Sequence, residues 1–397
     1  MEPQAATNLK GSMRLGSYLR RLRTGYGYSL RRVEERARAG GGEIDNSQLS
    51  RYEKGICYPS FDKLRVLASV FNVSIQSFSD VVELETYERI ELRSNDPEQL
   101  LVDGTTALRQ GDSGGAFAHY ERALEVLLDE NGISPEKREL LGQVRVHQAI
   151  ALGRLGKLSL AEQELRNALR GSEELSAALR IRAVVTLASI HAQQGERFLS
   201  ELEAGQAFEM AKAESQDRMA VMALHILAKV LYEQGRYREA IERFRETAKL
   251  YEACGDHFEA NRVRVNIGAN YVAMGKIREG IRLLRSALEE ARSGKHRRLE
   301  ALCWSHLGEA YYQSEDPKRA RSCFRESDTL VGRSQDRHDD VLFLNAYYEW
   351  KMADAEDNPT RSKIALGRLK MLRSSLERRF PEVEDFDRYV ERRRAHA

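Results

Sequence analysis

A glycine that recurs at nearly constant spacing limits what this sequence can fold into. The intervals are 39 or 40 residues, apart from a first interval of 45. The series is Gly111, Gly156, Gly195, Gly235 and Gly275, with Glu315 in the next place. At most members of this series, small residues stand seven positions before and five positions after the glycine. A larger apolar residue stands nine positions after it. Such a repeat predicts stacked pairs of antiparallel helices, because small residues allow close approach and large ones fill the gap to the next pair.

The chain holds only seven prolines, which favours an all-α protein. One repeat departs from the pattern. After Gly195, the order of small and large residues is kept only if about four extra residues are allowed, which puts Ala204 and Phe208 in the two places. An insertion is therefore expected in the second helix of that pair.

Residues 233–240 (EQGRYREA) resemble the turn of the tetratricopeptide repeat. The resemblance implies a right-handed α-superhelix with a concave groove lined by the first helix of each pair. Because the spacing exceeds the usual length of about 34 residues, each helix is expected to carry an extra turn. Six clear pairs are predicted, with residues 341–379 as a degenerate seventh pair or a capping pair.

The same resemblance implies which side chains face the groove. They are Arg182, Gln193, His225, Lys229, Tyr232, Arg262, Asn266, Asn270, Ser305, Glu309 and Tyr312. Asparagine amides can pair with the backbone of an extended peptide, and Lys229 or Arg262 can hold a carboxylate. The alternative for each residue is a solvated or interhelical polar group. As a set, they predict a groove that binds a peptide or protein.

A short polar helix is predicted near the start of the chain. Asp45 can cap it and Gly55 can end it, while Leu49 and Tyr52 can share a buried face. The outward residues are Asn46, Ser47, Gln48 and Arg51. Their amide, hydroxyl and guanidinium groups suit the reading of base edges in a DNA major groove. An ordinary surface helix is the alternative.

The charge distribution supports a nucleic-acid contact at the N-terminus. Residues 1–80 hold thirteen Lys or Arg against eight Asp or Glu, a net of +5. The remaining chain holds 50 basic and 53 acidic residues, a net of −3, so the whole chain is only +2. A basic N-terminal part on a slightly acidic body is typical of a DNA contact confined to one domain.

Linked motifs over residues 13–79 resemble the Cro/CI-type (XRE-type) helix-turn-helix domain. They include Leu19-Arg20, Tyr28-Ser29-Leu30, Leu49-Ser50, Glu53-Lys54-Gly55 and Pro59-Ser60. The resemblance implies a five-helix bundle whose third helix enters the major groove. It also implies DNA contacts, with bases through the third helix and with phosphates through hydroxyls and helix-start amides. The residues concerned are Ser29, Asn46, Ser47, Gln48, Arg51, Lys54 and Ser60.

Two features of this domain carry further expectations. Glu53 and Arg20 fall at positions that the family often links by an internal salt bridge. The turn before the third helix has about two residues more than usual and contains Gly40-Gly41-Gly42. A longer and more mobile turn is therefore expected, which affects the angle of the third helix.

The predicted organisation has five parts. Residues 1–12 form a flexible tail, 13–80 the helix-turn-helix domain, and 81–96 a linker helix, of which Val82 to Arg93 is the helical core. Residues 97–380 form the repeat array, and 381–397 a C-terminal tail with a solvated, disordered end at Arg392-Arg393-Arg394.

The layout resembles the peptide-responsive quorum-sensing regulators of Gram-positive bacteria. It implies a DNA-binding transcriptional regulator, a homodimer on double-stranded DNA, controlled by a peptide or protein in the groove. The alternative is a protein-interaction adaptor whose helix-turn-helix domain has little DNA affinity. No enzyme motif is found, and the four scattered cysteines argue against a zinc module and against a disulfide framework. No cofactor, metal or membrane partner is expected, and the cytoplasm is the expected location.

Overall fold

The computed structural model describes residues 11–129, 134–170, 175–332, 338–376 and 379–395. These residues form twenty α-helices: α1 (Met13–Gly25), α2 (Leu30–Ala39), α3 (Asn46–Glu53), α4 (Phe61–Phe71), α5 (Ile75–Glu83), α6 (Pro97–Arg109), α7 (Ser113–Asp129), α8 (Pro135–Arg154), α9 (Leu158–Leu169), α10 (Ala177–Gln194), α11 (Arg197–Ala213), α12 (Asp217–Glu233), α13 (Tyr237–Ala253), α14 (His257–Ala273), α15 (Ile277–Ser293), α16 (Arg297–Gln313), α17 (Pro317–Val331), α18 (Asp339–Ala355), α19 (Pro359–Ser375) and α20 (Pro381–Ala395). The predicted all-α fold is therefore confirmed for the described residues. Within those ranges, no helix is both long and apolar enough to cross a membrane.

Helices α1 to α5 form the predicted five-helix bundle. Each begins after a residue whose side chain accepts a hydrogen bond from a free amide of the first turn: Ser12, Ser29, Asp45, Ser60 and Ser74. Such caps satisfy donors that a helix start cannot pair internally. The core is apolar, and Leu19, Leu49, Leu67 and Phe71 are fully buried in it. The short polar helix predicted between Asp45 and Gly55 is α3.

The internal salt bridge of the bundle uses a different arginine from the one predicted. The Glu53 carboxylate accepts hydrogen bonds from Nε and Nη2 of Arg23, at 2.6 and 2.9 Å, whereas Arg20 is exposed. Helix α1 meets the end of α3 at Gly16, where a Cβ atom would lie 2.6 Å from the Glu53 carbonyl oxygen. Arg23 lies seven residues beyond Gly16, just under two turns, and so points to the same side. The prediction of Arg20 was wrong.

The linker is not the single helix predicted over Val82 to Arg93. Helix α5 ends at Glu83, and a 3-10 helix (Leu84–Arg89) follows it. The buried Leu84 side chain and the contact of the Tyr87 ring with Phe117, at 6.2 Å between centroids, hold this tighter turn in place. Sequence periodicity alone does not separate a 3-10 turn from a continuing α-helix.

Seven helix pairs follow, from α6/α7 to α18/α19. The predicted turn glycines all have positive φ, from 75° to 87°, and Glu315 takes φ 56° in the same role. Glycine suits this left-handed conformation because it has no Cβ atom. The helices from α11 to α16 are each 17 residues long, which explains the long repeat. The first helices α10, α12, α14, α16 and α18 pack against one another in turn, and we call the surface that they form the groove face.

The insertion predicted after Gly195 is absent. Helix α11 starts two residues after Gly195 and runs for 17 residues, as α13 does after Gly235. Ser200 takes the small position and is fully buried, where its hydroxyl donates to the Ala188 carbonyl oxygen at 2.7 Å. Ala204 takes the place of the larger residue. Ser200 and Ala204 thus occupy the two positions for which the sequence pattern predicted Ala204 and Phe208.

The C-terminal segment forms a helix, α20, where a tail was predicted. Val383 and Phe386 are buried in the apolar core of the last pairs, together with Phe343 and Trp350. Two apolar residues three positions apart are enough to fix one face of a helix, but they are too few to stand out in a charged sequence. The arginines Arg392 to Arg394 are exposed at its end.

The chain divides into two compact units. Unit 1 holds the bundle, α6, α7 and residues 159–163 of α9, and unit 2 holds α8, the rest of α9 and α10 to α20. The first helix pair therefore groups with the bundle.

We expect Gly308→Ala to destabilise unit 2. A Cβ atom there would lie 2.4 Å from Cε1 of the fully buried Phe324 ring, and such overpacking costs about 1–3 kcal/mol. Gly367→Ala is the matched control, because nothing lies within 4 Å of its added Cβ and alanine favours a helix. Urea unfolding followed by tryptophan fluorescence measures both, since Trp304 and Trp350 lie in α16 and α18. Equal midpoints for the two variants would contradict the prediction.

Candidate nucleic-acid interface and groove face

The outward side of α3 is exposed, as a DNA interface requires. Asn46, Ser47 and Arg51 are exposed and Gln48 is half-buried, whereas Leu49 and Tyr52 are buried against the bundle. Three other predicted contact residues, Ser29, Lys54 and Ser60, are also exposed. The fold thus presents all seven to solvent, and their contact with DNA stays a prediction.

The start of α3 is held by its cap. The Asp45 carboxylate accepts hydrogen bonds from the Ser47 hydroxyl at 2.6 Å and from the Gln48 amide at 2.7 Å. These two bonds lower the pKa of the exposed Asp45 carboxyl. The Ser47 hydroxyl is therefore already engaged, whereas the side chains of Asn46 and Arg51 extend into solvent.

The long glycine-containing turn before α3 has a defined path. Gly41 has φ 76°, and the Gly42 amide donates to the Ala37 carbonyl at 2.9 Å. A Cβ atom on Gly42 would lie 2.5 Å from Val66 Cγ2, so the chain passes close to α4 here. Ile44 is then buried before Asp45 caps α3. The extra residues are accommodated by one left-handed glycine and one glycine that allows a close approach.

Polar contacts within unit 1 connect the bundle to the first helix pair. Arg14 donates from Nε to Glu88 at 2.7 Å and lies 3.4 Å from Glu121 of α7, with its guanidinium over the Phe117 ring. The Ser12 hydroxyl donates to Glu85. These contacts could not be predicted from the sequence, since the residues lie 73 to 107 positions apart and carry no local signal.

A polar cluster on the groove face centres on His225. Arg262 Nη2 lies 3.4 Å from His225 Nδ1, and the Asn266 side-chain amide lies 3.1 Å from His225 Nε2. Burial, and then the charges of Arg262 and Lys229, lower the pKa of His225 well below its usual value. The imidazole is therefore neutral, with one ring nitrogen that accepts and one that donates, and it lies between α12 and the Arg262 and Asn266 side chains of α14.

Several other predicted groove residues are buried between helices. Asn270 is 1% exposed and donates to the Asn266 carbonyl at 2.8 Å. The Ser305 hydroxyl donates to Asn345 at 2.7 Å, between α16 and α18. Glu309 is buried and lies 3.2 Å from His306. These three residues are therefore buried against the partners named here and do not lie on an open surface.

The remaining predicted groove residues are half-buried: Arg182, Gln193, Lys229, Tyr232 and Tyr312. Arg182 Nη1 lies 3.5 Å from His147 Nε2, and the Gln193 side chain donates to the Ser189 carbonyl at 3.2 Å. The Tyr312 ring packs against Tyr348 at 5.3 Å between centroids. Burial, followed by the carboxylates of Glu309 and Glu382, raises the pKa of Tyr232 well above its usual value.

Helix α20 supplies partners for groove-face residues of α18, and these partners were not predicted from the sequence. The Tyr347 hydroxyl donates to Asp385 at 2.8 Å, and Lys351 lies 2.9 Å from the same carboxylate. Tyr348 donates to Glu382 at 3.1 Å. These partners lie 34 to 38 positions apart. The acidic run at residues 382–387 gave no indication of these contacts with α18, because such runs are usually solvated.

Glu382 makes the packing of α20 sensitive to pH. Burial and the nearby Glu309 raise its pKa to about 7, while Tyr348, Tyr232 and His306 complete its surroundings. A raised pKa stabilises the packed helix at low pH, and this contribution is lost as pH rises through about 7. We expect the urea midpoint of the array to fall between pH 6 and pH 8 more in wild type than in Glu382→Gln. Glu391→Gln, on the exposed side, should behave like wild type.

Among the described residues, no group of three or more His, Cys, Asp or Glu side chains is placed to hold a metal ion. The four cysteines are free thiols, and burial raises the pKa of Cys303 to about 12 and that of Cys323 to about 11. The Cys303 and Cys323 thiols are therefore protonated and suited to packing.

Comparison with known families matches both parts of the chain. A helix-turn-helix family model matches residues 19–78. Two tetratricopeptide-repeat models match residues 221–253 and 259–327. No curated protein sequence is similar enough to count as a relative.

Solved structures share the fold at low sequence identity. A Rap protein complexed with competence and sporulation factor is 18% identical, with a TM-score of 0.57 over 92% of this chain and 100% of that one. The Rap conjugation gene regulator of plasmid pLS20, in complex with the Phr* peptide, is 13% identical, with a TM-score of 0.52 over 92% and 98%. NprR with its cognate peptide NprX is 17% identical, with a TM-score of 0.50 over 70% and 83%. The protein therefore combines an XRE-type helix-turn-helix domain with tetratricopeptide repeats, in a fold similar to those of the solved Rap and NprR structures.

Proposed function

We propose that this protein is a sequence-specific DNA-binding transcriptional regulator, controlled by a peptide or protein bound to its repeats. The observation that carries the proposal is the polar outward side of α3, where Asn46 and Arg51 are exposed and Gln48 is half-buried, in a domain that matches the helix-turn-helix family. Glutamine suits adenine and arginine suits guanine in the major groove. The exposed starts of α2 and α4 add Ser29 and Ser60 as phosphate contacts.

The repeats support control by a ligand. Their groove face carries polar and aromatic side chains, among them Arg262, Asn266 and Tyr312, which suit a peptide backbone and its carboxylates. Solved structures with the same fold include complexes with peptides. A ligand that favours one arrangement of a dimer changes whether both DNA-binding domains can dock at once.

The test is selection of DNA from a random pool by the full chain, followed by binding measurements over a range of salt concentrations. We expect paired half-sites separated by one or more helical turns, each roughly 34 Å. Affinity for the selected site should fall steeply with salt, because basic side chains displace counterions from phosphates. A pool that is not enriched would refute the proposal. It would favour an interaction adaptor, for which the glycine-containing turn at residues 40–45 is the supporting feature.

A further inference from the structure

Helix α20 has an acidic first half and a basic end, and one of its sides is buried and apolar. Its first seven residues contain four acids, Glu382, Glu384, Asp385 and Asp387, whereas Arg392 to Arg394 stand near its end. Val383 and Phe386 form the buried side, and the rings of Phe386 and Phe343 lie 5.7 Å apart. The acidic half is therefore anchored to the last repeat pairs by its apolar side.

The acidic half reaches repeats that are distant along the chain. Glu384 lies 2.5 Å from Arg197 at the start of α11, a separation of 187 positions. Just before the helix, the Arg379 amide donates to the Gln193 carbonyl at 2.7 Å. A Cβ atom on Gly195 would lie 2.8 Å from Arg379 Cβ, so the chain passes very close to this turn. The segment thus contacts the third and the last helix pair of the array.

Between these ends, carboxylates meet donors on the groove face. Asp385 accepts from Tyr347 and Lys351, and Glu382 accepts from Tyr348. A groove face whose Lys351 ammonium and Tyr347 and Tyr348 hydroxyls meet two carboxylates of the same chain is complementary to an acidic segment.

We propose that the first half of α20 is a built-in occupant of the groove face, and that the external ligand is an acidic peptide with apolar residues three positions apart, which takes its place. This inference rests on the proposed function in one respect, which is that the repeats bind a ligand. The required chemistry is that of residues 381–387 (PEVEDFD): carboxylates for Arg197 and Lys351, and two apolar groups for the site of Val383 and Phe386.

The contacts allow such an exchange. In the pair of Arg197 and Glu384 the side chains are 24% and 34% exposed, and in that of Lys351 and Asp385 33% and 37%. Ion pairs this exposed hold a helix only weakly. A tethered segment competes at an effective concentration in the millimolar range, so a free peptide binds only to the fraction of molecules whose α20 is released.

The experiment compares the full chain with two charge reversals on α20. Glu384→Lys opposes Arg197 and leaves Val383 and Phe386 in place, while Glu391→Lys makes the same change on an exposed residue. The probes are labelled synthetic peptides with the sequence of residues 379–391, one native and one with its four early acids replaced by the corresponding amides. Fluorescence anisotropy without DNA measures binding, and hydrogen exchange measures the protection of residues 379–395.

We expect Glu384→Lys to bind the native peptide about tenfold more tightly than wild type or Glu391→Lys does, because more molecules are open to it. The amide peptide should bind at least about tenfold more weakly than the native one, and adding Arg197→Ala to Glu384→Lys should weaken binding of the native peptide. Amides of residues 379–395 should exchange faster in Glu384→Lys than in wild type.

Equal affinity of wild type and Glu384→Lys for the native peptide would overturn the inference. So would equal affinity for the two peptides, or rapid exchange of residues 379–395 in wild type. A chain that binds selected DNA but shows none of these effects refutes only the inference. A chain that shows the peptide-binding and hydrogen-exchange effects but enriches no DNA refutes the proposed regulatory function. The inference that α20 occupies the groove face would then still hold.

Discussion

Replacing Gln48 and Arg51 together by alanine should weaken binding to the selected DNA site by about 100-fold or more, because each good base contact contributes about 1–3 kcal/mol of discrimination. Both side chains leave α3 on its outward side, away from the buried Leu49 and Tyr52. The substitutions therefore keep the bundle folded. Fluorescence anisotropy at fixed salt, with selected and scrambled DNA, measures the loss.

Arg278→Ala is the control, because it removes the same charge from an exposed position on α15. It should leave DNA affinity within about twofold of wild type, since Arg278 lies on a repeat helix outside the helix-turn-helix domain and an exposed charge is largely screened by salt. The double variant should also lose its preference for the selected over the scrambled site. If it binds both as wild type does, α3 is not the helix that reads DNA.

Local chemistry explains which parts of the fold could be predicted. The cap of α3 at Asp45 and the left-handed turns at Gly195, Gly235 and Gly275 depend on residues within a few positions of each other. Caps and turns are short-range features with their own residue preferences. For the same reason, the exposed side of α3 was predicted correctly.

The misses depend on tertiary contacts. Arg20 and Arg23 differ by less than one helical turn, and only the approach of α1 to α3 at Gly16 selects Arg23 for Glu53. Similarly, the pairing of Glu384 with Arg197 joins residues 187 positions apart. Sequence periodicity shows that a helix has two sides, but not which distant element meets each side. The candidate site is predictable where one helix forms it and unpredictable where several do.

Phe386→Ala should cause the largest loss of stability in the C-terminal repeats. The ring is 1% exposed and packs against Phe343 and Trp350, at 5.7 and 6.2 Å between centroids. Removing such a side chain leaves a cavity and costs about 3–5 kcal/mol. In a repeat array each pair is stabilised by its neighbours, so the loss at α20 should reach α18 and α19. Urea unfolding followed by tryptophan fluorescence should show a lower midpoint.

Glu391→Ala is the control on the same helix, because the Glu391 side chain is exposed. This variant should have the same urea midpoint as wild type. Limited proteolysis separates two roles of α20. If Phe386→Ala is cut within residues 379–395 but unfolds at the wild-type midpoint, α20 opens independently and does not cap the array. A lower midpoint together with cleavage means that the helix which occupies the groove face also holds the last repeat pairs together. A ligand that displaces α20 would then have to replace the apolar contacts of Phe386 as well as the ion pairs of the acidic half.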